Sequence, residues 1–132
     1  MLEFLGSMHE VDADLEKAGD AFASIRSNLA TQLGALEKAT GWIMKNGLAN
    51  PNDALAGSSP LVRMWGIVLG GWLLARSAVA AVDTADAEEQ FVLAHFYATQ
   101  ILPQAAGLRG AVTAGAGDLF ALDDAALGTA RA

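Results

Sequence analysis

Twelve residues near the N-terminus form one apolar stripe. Phe4, Met8, Val11, Leu15, Ala18, Phe22, Ile25, Leu29, Leu33, Leu36, Thr40 and Ile43 follow one another at steps of three or four. Only a helix of about 3.6 residues per turn keeps such positions on one face. Glu3, Glu10, Asp14, Lys17, Arg26 and Lys38 fall mostly off the stripe. The pattern predicts a helix over residues 2–46 with a possible break at Gly19-Asp20. There Asp20 is available as an N-cap. The unbroken phase favours continuity with at most a local kink. Lys45-Asn46-Gly47 supplies the stop signal.

The rest of the chain has the same bias. It holds 28 Ala and 18 Leu among 132 residues, against 17 Val, Ile and Thr together. This makes an all-β fold improbable. A hydrophobic fraction of 53% excludes a disordered tail or a collagen-like chain. The length is that of one domain, residues 1–132.

After a turn at Asn50-Pro51-Asn52-Asp53, Ser59 reads as an N-cap and Pro60 as the first helical position. The helix from there runs over residues 60–82. Apolar residues cover nearly every side of it, which places it centrally. Arg63 and Arg76 bracket only twelve uncharged residues, Met64 to Ala75. A membrane span needs about 20, so no membrane insertion is expected. Gly66, Gly70 and Gly71 each cost roughly 1 kcal/mol relative to Ala inside a helix. Gly66 and Gly70 share a face, and close approach of another helix or a ligand would offset their cost. Trp65 and Trp72 are seven residues apart on one face of the same helix, as core packing or as interface anchors.

A third helix is predicted over 85–114, with Glu88 and Glu89 in its first turn, a kink at Pro103 and a stop at Gly115-Ala116-Gly117. A short tail helix near 123–127 follows, with Asp123-Asp124 as its cap. The resulting fold class is all-α: an up-and-down antiparallel helical bundle of three to four long helices.

Chemistry is sparse. Fifteen acidic against eight basic residues give −7, which opposes nucleic-acid binding. No Cys is present, so a disulfide, a thiolate metal site and a Cys nucleophile are all excluded. The N-terminus carries acids where a secretory signal carries bases. Both features fit a cytoplasmic protein. His9 and His95 have no acids spaced for a metal, and no Ser, His and acid assemble into a triad. No phosphate-binding glycine loop follows a strand. These residues indicate no catalytic group, cofactor or metal ligand in this chain.

Three segments resemble a known family. The first is Leu61-Val62-Arg63-Met64-Trp65-Gly66 followed by Gly70-Gly71-Trp72. The second is LEKATGWIMKNGLANPNDALAGSSP, and the third is AHFYATQILPQAAGLRGAVTAGAGDLFALDDAAL. In this order they are similar to the C-terminal helical domain, labelled acetyl-CoA-dehydrogenase-like, of one branch of the flavin-dependent acyl-CoA dehydrogenases. In that family the domain follows a larger catalytic part that holds FAD, binds the acyl-CoA and carries the proton-abstracting Glu. None of that part matches here, so no catalytic or FAD-binding residue is carried over. The resemblance implies an excised piece or a free-standing relative. It further implies a structural and assembly role: packing on a catalytic dehydrogenase core near the subunit interface of a homo-oligomer. Arg63, Trp65, Gly66, Gly70, Gly71 and Trp72 would set that packing. The alternative is a free-standing helical module whose groove takes an acyl chain, another apolar ligand or a partner helix.

Overall fold

The computed structural model describes residues 1–128. Every regular element among them is helical. Two helices are long, α3 (Ala23–Ala49) and α4 (Pro51–Ala80), and they form the spine. Before them come α1 (Leu2–Met8), α2 (Val11–Ala18) and a single 3₁₀ turn, Asp20–Phe22. After them come α5 (Ala87–Phe96), a π turn (Tyr97–Ile101), α6 (Gln104–Gly107), α7 (Arg109–Val112), a 3₁₀ turn (Gly117–Phe120) and α8 (Asp124–Gly128). The chain is all-α as expected, but two long helices replace the three to four of the sequence reading.

The N-terminal stripe is the core face. Met8, Val11, Leu15, Phe22, Ile25, Leu29, Leu33, Leu36 and Thr40 are all buried. Its continuity is not kept. At His9-Glu10 both residues stay right-handed, and His9 and Glu10 donate to the carbonyls of Gly6 and Ser7 at 3.2 Å. That tightened turn preserves the helical phase, so the sequence gives no sign of it. At Gly19 the helix truly stops. Its φ of 107° is open only to glycine at little cost. Asp20 caps nothing with its side chain.

Beyond that stop, Arg26 of α3 reaches back to α2. It donates to Asp12 Oδ1 at 2.8 Å and Oδ2 at 2.9 Å, and pairs with Glu16 at 3.2 Å. The guanidinium holds the Asp12 carboxyl below its ordinary 3.8 and is itself held more firmly protonated.

A single residue joins the spine helices. Asn50 is extended (φ −140°, ψ 99°), and its side chain accepts from the Asn52 N–H at 3.2 Å. Pro51 then starts α4 at a position where its missing N–H costs nothing. The expected start at Ser59-Pro60 is therefore corrected: Pro60 lies inside α4, and the Ser58 hydroxyl donates back to Leu55 O at 2.7 Å. The hairpin is antiparallel. Methyl groups at Gly47 and Gly57 would crowd Ala54 Cβ and Ile43 Cδ1, both at 2.7 Å. Further along, Phe22 and Ala78 line one cleft.

The break near Asp83-Asp86 is observed. The predicted helix over 85–114 is divided. Pro103 has no N–H for the Thr99 carbonyl, and the helix widens ahead of it: Leu102 N–H donates to Tyr97 O at 2.9 Å, a five-residue step. Two polar side chains of α3 brace the broken backbone. Asn28 Nδ2 donates to Ala98 O at 2.9 Å, and buried Gln32 accepts the Ala106 N–H at 2.8 Å. Gly115 (φ 77°) ends this region, and Asp53 Oδ1 accepts the Ala116 N–H at 2.8 Å. The tail helix forms where expected, with Asp123 Oδ1 accepting the Ala126 N–H at 2.7 Å.

The α2–α3 ion pair gives a pH prediction. The Asp12 carboxyl titrates lower in the folded chain than in the unfolded one, so its contribution exists above pH 3.8 and is lost as pH falls further. The melting-temperature deficit of Asp12→Asn at neutral pH should therefore shrink toward zero in acid. A deficit independent of pH would show that the effect is not ionic.

Candidate functional site

α4 carries all six residues singled out from the sequence. Its inward face buries Leu61, Met64, Val68, Gly71, Trp72, Ala75 and Ala78. Trp65 and Trp72 flank that face together, because seven residues make about two helical turns. Phe4 of α1 covers both indoles. Its ring lies 6.3 Å from that of Trp65, nearly parallel, and 5.7 Å from that of Trp72, edge-on. The Arg76 guanidinium sits over Trp72 at 4.7 Å, a cation–π contact. Phe4 itself is 43% exposed, so the aromatic corner is open on one side. Within it the Nε1–H groups of Trp65 and Trp72 are buried without a hydrogen-bond partner.

The glycines divide by surroundings. A methyl at Gly70 would fall 2.5 Å from the Tyr97 hydroxyl, which donates to Ile67 O at 2.9 Å. A methyl at Gly71 would press on Leu102 at 3.0 Å. Both give close approach, to side chains rather than to a helix backbone. Gly66 does not: it is exposed, and a methyl there would meet nothing within 4 Å. The backbone approach sought at Gly66 occurs at Gly57, where a methyl would strike the Val112 carbonyl oxygen. Gly57 precedes the helix start expected at Ser59-Pro60, so the sequence offered no helical face on which to weigh it.

Arg63 is exposed and has no ion-pair partner among the described residues. It adjoins an outward stripe of α4 formed by Leu55, Val62, Gly66, Leu69 and Leu73. Of these, Leu55, Val62 and Leu73 are strongly exposed. The stripe carries no charge, and α4 has no acid after Asp53.

The two histidines have structural partners. His9 Nε2 bonds Glu37 at 2.8 Å across the α1–α3 contact. His95 stacks on Phe91, which meets Phe22 edge-on at 5.1 Å. No cluster of three His, Asp or Glu suited to a metal occurs among the described residues, and none of their helices is long and apolar enough to cross a membrane. Of the clefts, one of about 430 Å³ is lined by Asp12, Glu16, Asp20 and Arg26. Another, of about 250 Å³, is apolar and lies between Phe22, Ala78, Val82 and Phe91.

The glycine environments predict opposite signs. Gly66→Ala should raise stability by up to about 1 kcal/mol through helix propensity. Gly57→Ala and Gly70→Leu should each cost ~1–3 kcal/mol by overpacking. Urea denaturation of the three variants tests the distinction. A Gly57→Ala chain as stable as the parent would refute the close contact with Val112.

A family model described as acetyl-CoA dehydrogenase C-terminal like matches residues 7–123. Searches of curated proteins and of solved structures give no match. The family match takes in α2 to α7, the aromatic corner's two tryptophans and every glycine discussed above. The chain belongs to the acetyl-CoA dehydrogenase C-terminal-like family.

Proposed function

We propose that this domain is an accessory and assembly element of an FAD-dependent acyl-CoA dehydrogenase. It packs on the catalytic core through the aromatic corner and lies at a subunit interface through the outward stripe of α4. The observation that carries the reading is the open corner at Phe4. Two large indoles with unpartnered N–H groups stand beside an exposed ring, the composition of an interface anchor. A core element seated there would complete the burial of the Phe4 ring and of the indole edges beneath it.

The residues do not fit a flavin dinucleotide. The cleft of about 430 Å³ holds Asp12, Glu16 and Asp20 against one base, Arg26, which is already paired with Asp12 and Glu16. Its net negative lining disfavours a pyrophosphate, and no glycine-rich loop follows a strand among the described residues to cradle one. We therefore assign FAD, acyl-CoA binding and proton abstraction to the dehydrogenase part and derive no step through this domain. The domain contributes positioning and assembly. A second reading, a free-standing module, has the apolar cleft beside Phe22 and Phe91 in its favour, as a site for a short alkyl group.

The size of the native product tests the first reading. An antibody raised against the domain should detect, in source-cell extract, a band several times larger than 13.6 kDa. A single band at 13.6 kDa would overturn covalent attachment to a dehydrogenase and favour the module.

A further inference from the structure

The outward stripe of α4 has a counterpart on the same chain. Residues 117–128 include Leu119, Phe120, Leu122 and Leu127, each at least 60% exposed. Neither the 3₁₀ turn nor α8 buries a residue. This segment exposes apolar side chains as the stripe does, but among acids, whereas the stripe itself is uncharged. Asp118, Asp123 and Asp124 stand among its apolar residues. Arg63 borders the stripe, Arg76 lies over Trp72 in a cleft shared with Glu10 and Asp14, and no acid interrupts α4 between Asp53 and its end.

We propose that residues 117–128 of one copy of the chain lie along the outward stripe of α4 in a second copy, and reciprocally, in a two-fold dimer. The proposal deepens the subunit-interface half of the reading above and is independent of the core-packing half.

Three observations select a second copy as the occupant. The charges are complementary: the segment carries three aspartates, and the stripe is bordered by Arg63, which has no acidic partner among the described residues. This matters because the chain carries −7, so two copies repel wherever acids face acids. The α4 stripe is an acid-free surface on which that repulsion turns to attraction. Both surfaces are also apolar: Leu55, Val62 and Leu73 on the stripe and Leu119, Phe120, Leu122 and Leu127 on the segment are each 49–70% exposed, the kind of uncovered area that association buries. Finally, the segment leaves the domain at Ala116, fixed to Asp53 at the start of α4, yet it buries nothing against its own chain. Gly66, in the middle of the stripe with open space above it, lets a bulky side chain such as Phe120 approach the helix axis.

Sedimentation velocity of the 132-residue chain, from micromolar to sub-millimolar concentration, tests the proposal. The wild type should reach twice the 13.6 kDa monomer mass. Leu119→Ser/Phe120→Ser and, separately, Val62→Glu should each remain monomeric. All three positions are exposed, so circular dichroism and melting temperature should match the wild type. A wild-type monomer at every concentration would overturn the proposal. So would a dimer lost in Val62→Glu but kept in the tail variant, which would mean that the α4 faces meet directly. A dimer lost only in the tail variant would place the segment elsewhere and would equally overturn it. None of these results depends on the size of the native gene product, so this inference and the dehydrogenase attachment fail separately.

Discussion

The one-residue connection at Asn50 constrains everything that packs around it. Two helices of 27 and 30 residues joined by one extended residue must run side by side from the first turn. Their backbones have to come close at the hairpin end, and small residues there permit it: Gly47 against Ala54, Gly57 against Ile43. That closure fixes the register along the whole pair. Phe22 consequently lies level with Ala78, near the far end, where its edge-on contact with Phe91 seats α5. A longer loop would leave this register to side-chain packing alone. With Asn50 it is set by covalent geometry and an N-cap, before the distant contacts form.

The second half of the chain meets the spine by a different principle. Pro103 and Gly115 break the last helical region, and each break leaves backbone groups in need of partners. The spine supplies them from side chains that a purely apolar stripe would lack. Asn28 and Gln32 lie one turn apart on α3 and bond Ala98 O and Ala106 N. Asp53 in the first turn of α4 accepts from Ala116 N. Each such bond is worth only about 1 kcal/mol net. Their larger effect is on specificity, since an apolar residue at any of the three would leave a backbone group of the broken helix without its partner.

The core was legible because its signal is local. Period 3.6 over residues 4–43 named nine buried positions, and the motif around Arg63, Trp65 and Gly70-Gly71-Trp72 named the family. The breaks were hidden for the same reason. The turn at His9-Glu10 keeps the chain right-handed and so preserves the phase, while Gly19 falls where the stripe can pass over a change of direction. Pro60 misled because Ser59-Pro60 and Asn50-Pro51 carry the same start signal. Only the closure at Asn50, with Gly57 held against Val112, decides between them. The glycines show the limit most plainly. Gly66 and Gly70 look equivalent along the chain, yet one faces open space and the other a tyrosine hydroxyl.

Gly66 also explains why α4 is apolar on nearly every side. A helix that is apolar all round is normally a buried one, yet the chain buries α4 on only part of its circumference. α3 takes the inward face, Phe4 of α1 covers the flank at Trp65 and Trp72, and Tyr97 and Leu102 take the flank at Gly70 and Gly71. What remains is Leu55, Val62, Gly66 and Leu73. Helix propensity does not account for Val62 or Gly66, since Ala would be better at both. Solubility does not account for them either, in a chain that places acids freely on α1, α2 and α5. Residues that cost helix stability and expose apolar surface make physical sense on a face that another surface covers. The same argument applies to Leu119, Phe120 and Leu122, which are exposed among aspartates at the other end of the chain. An acidic apolar segment and an uncharged apolar face bordered by Arg63 satisfy each other better than water satisfies either.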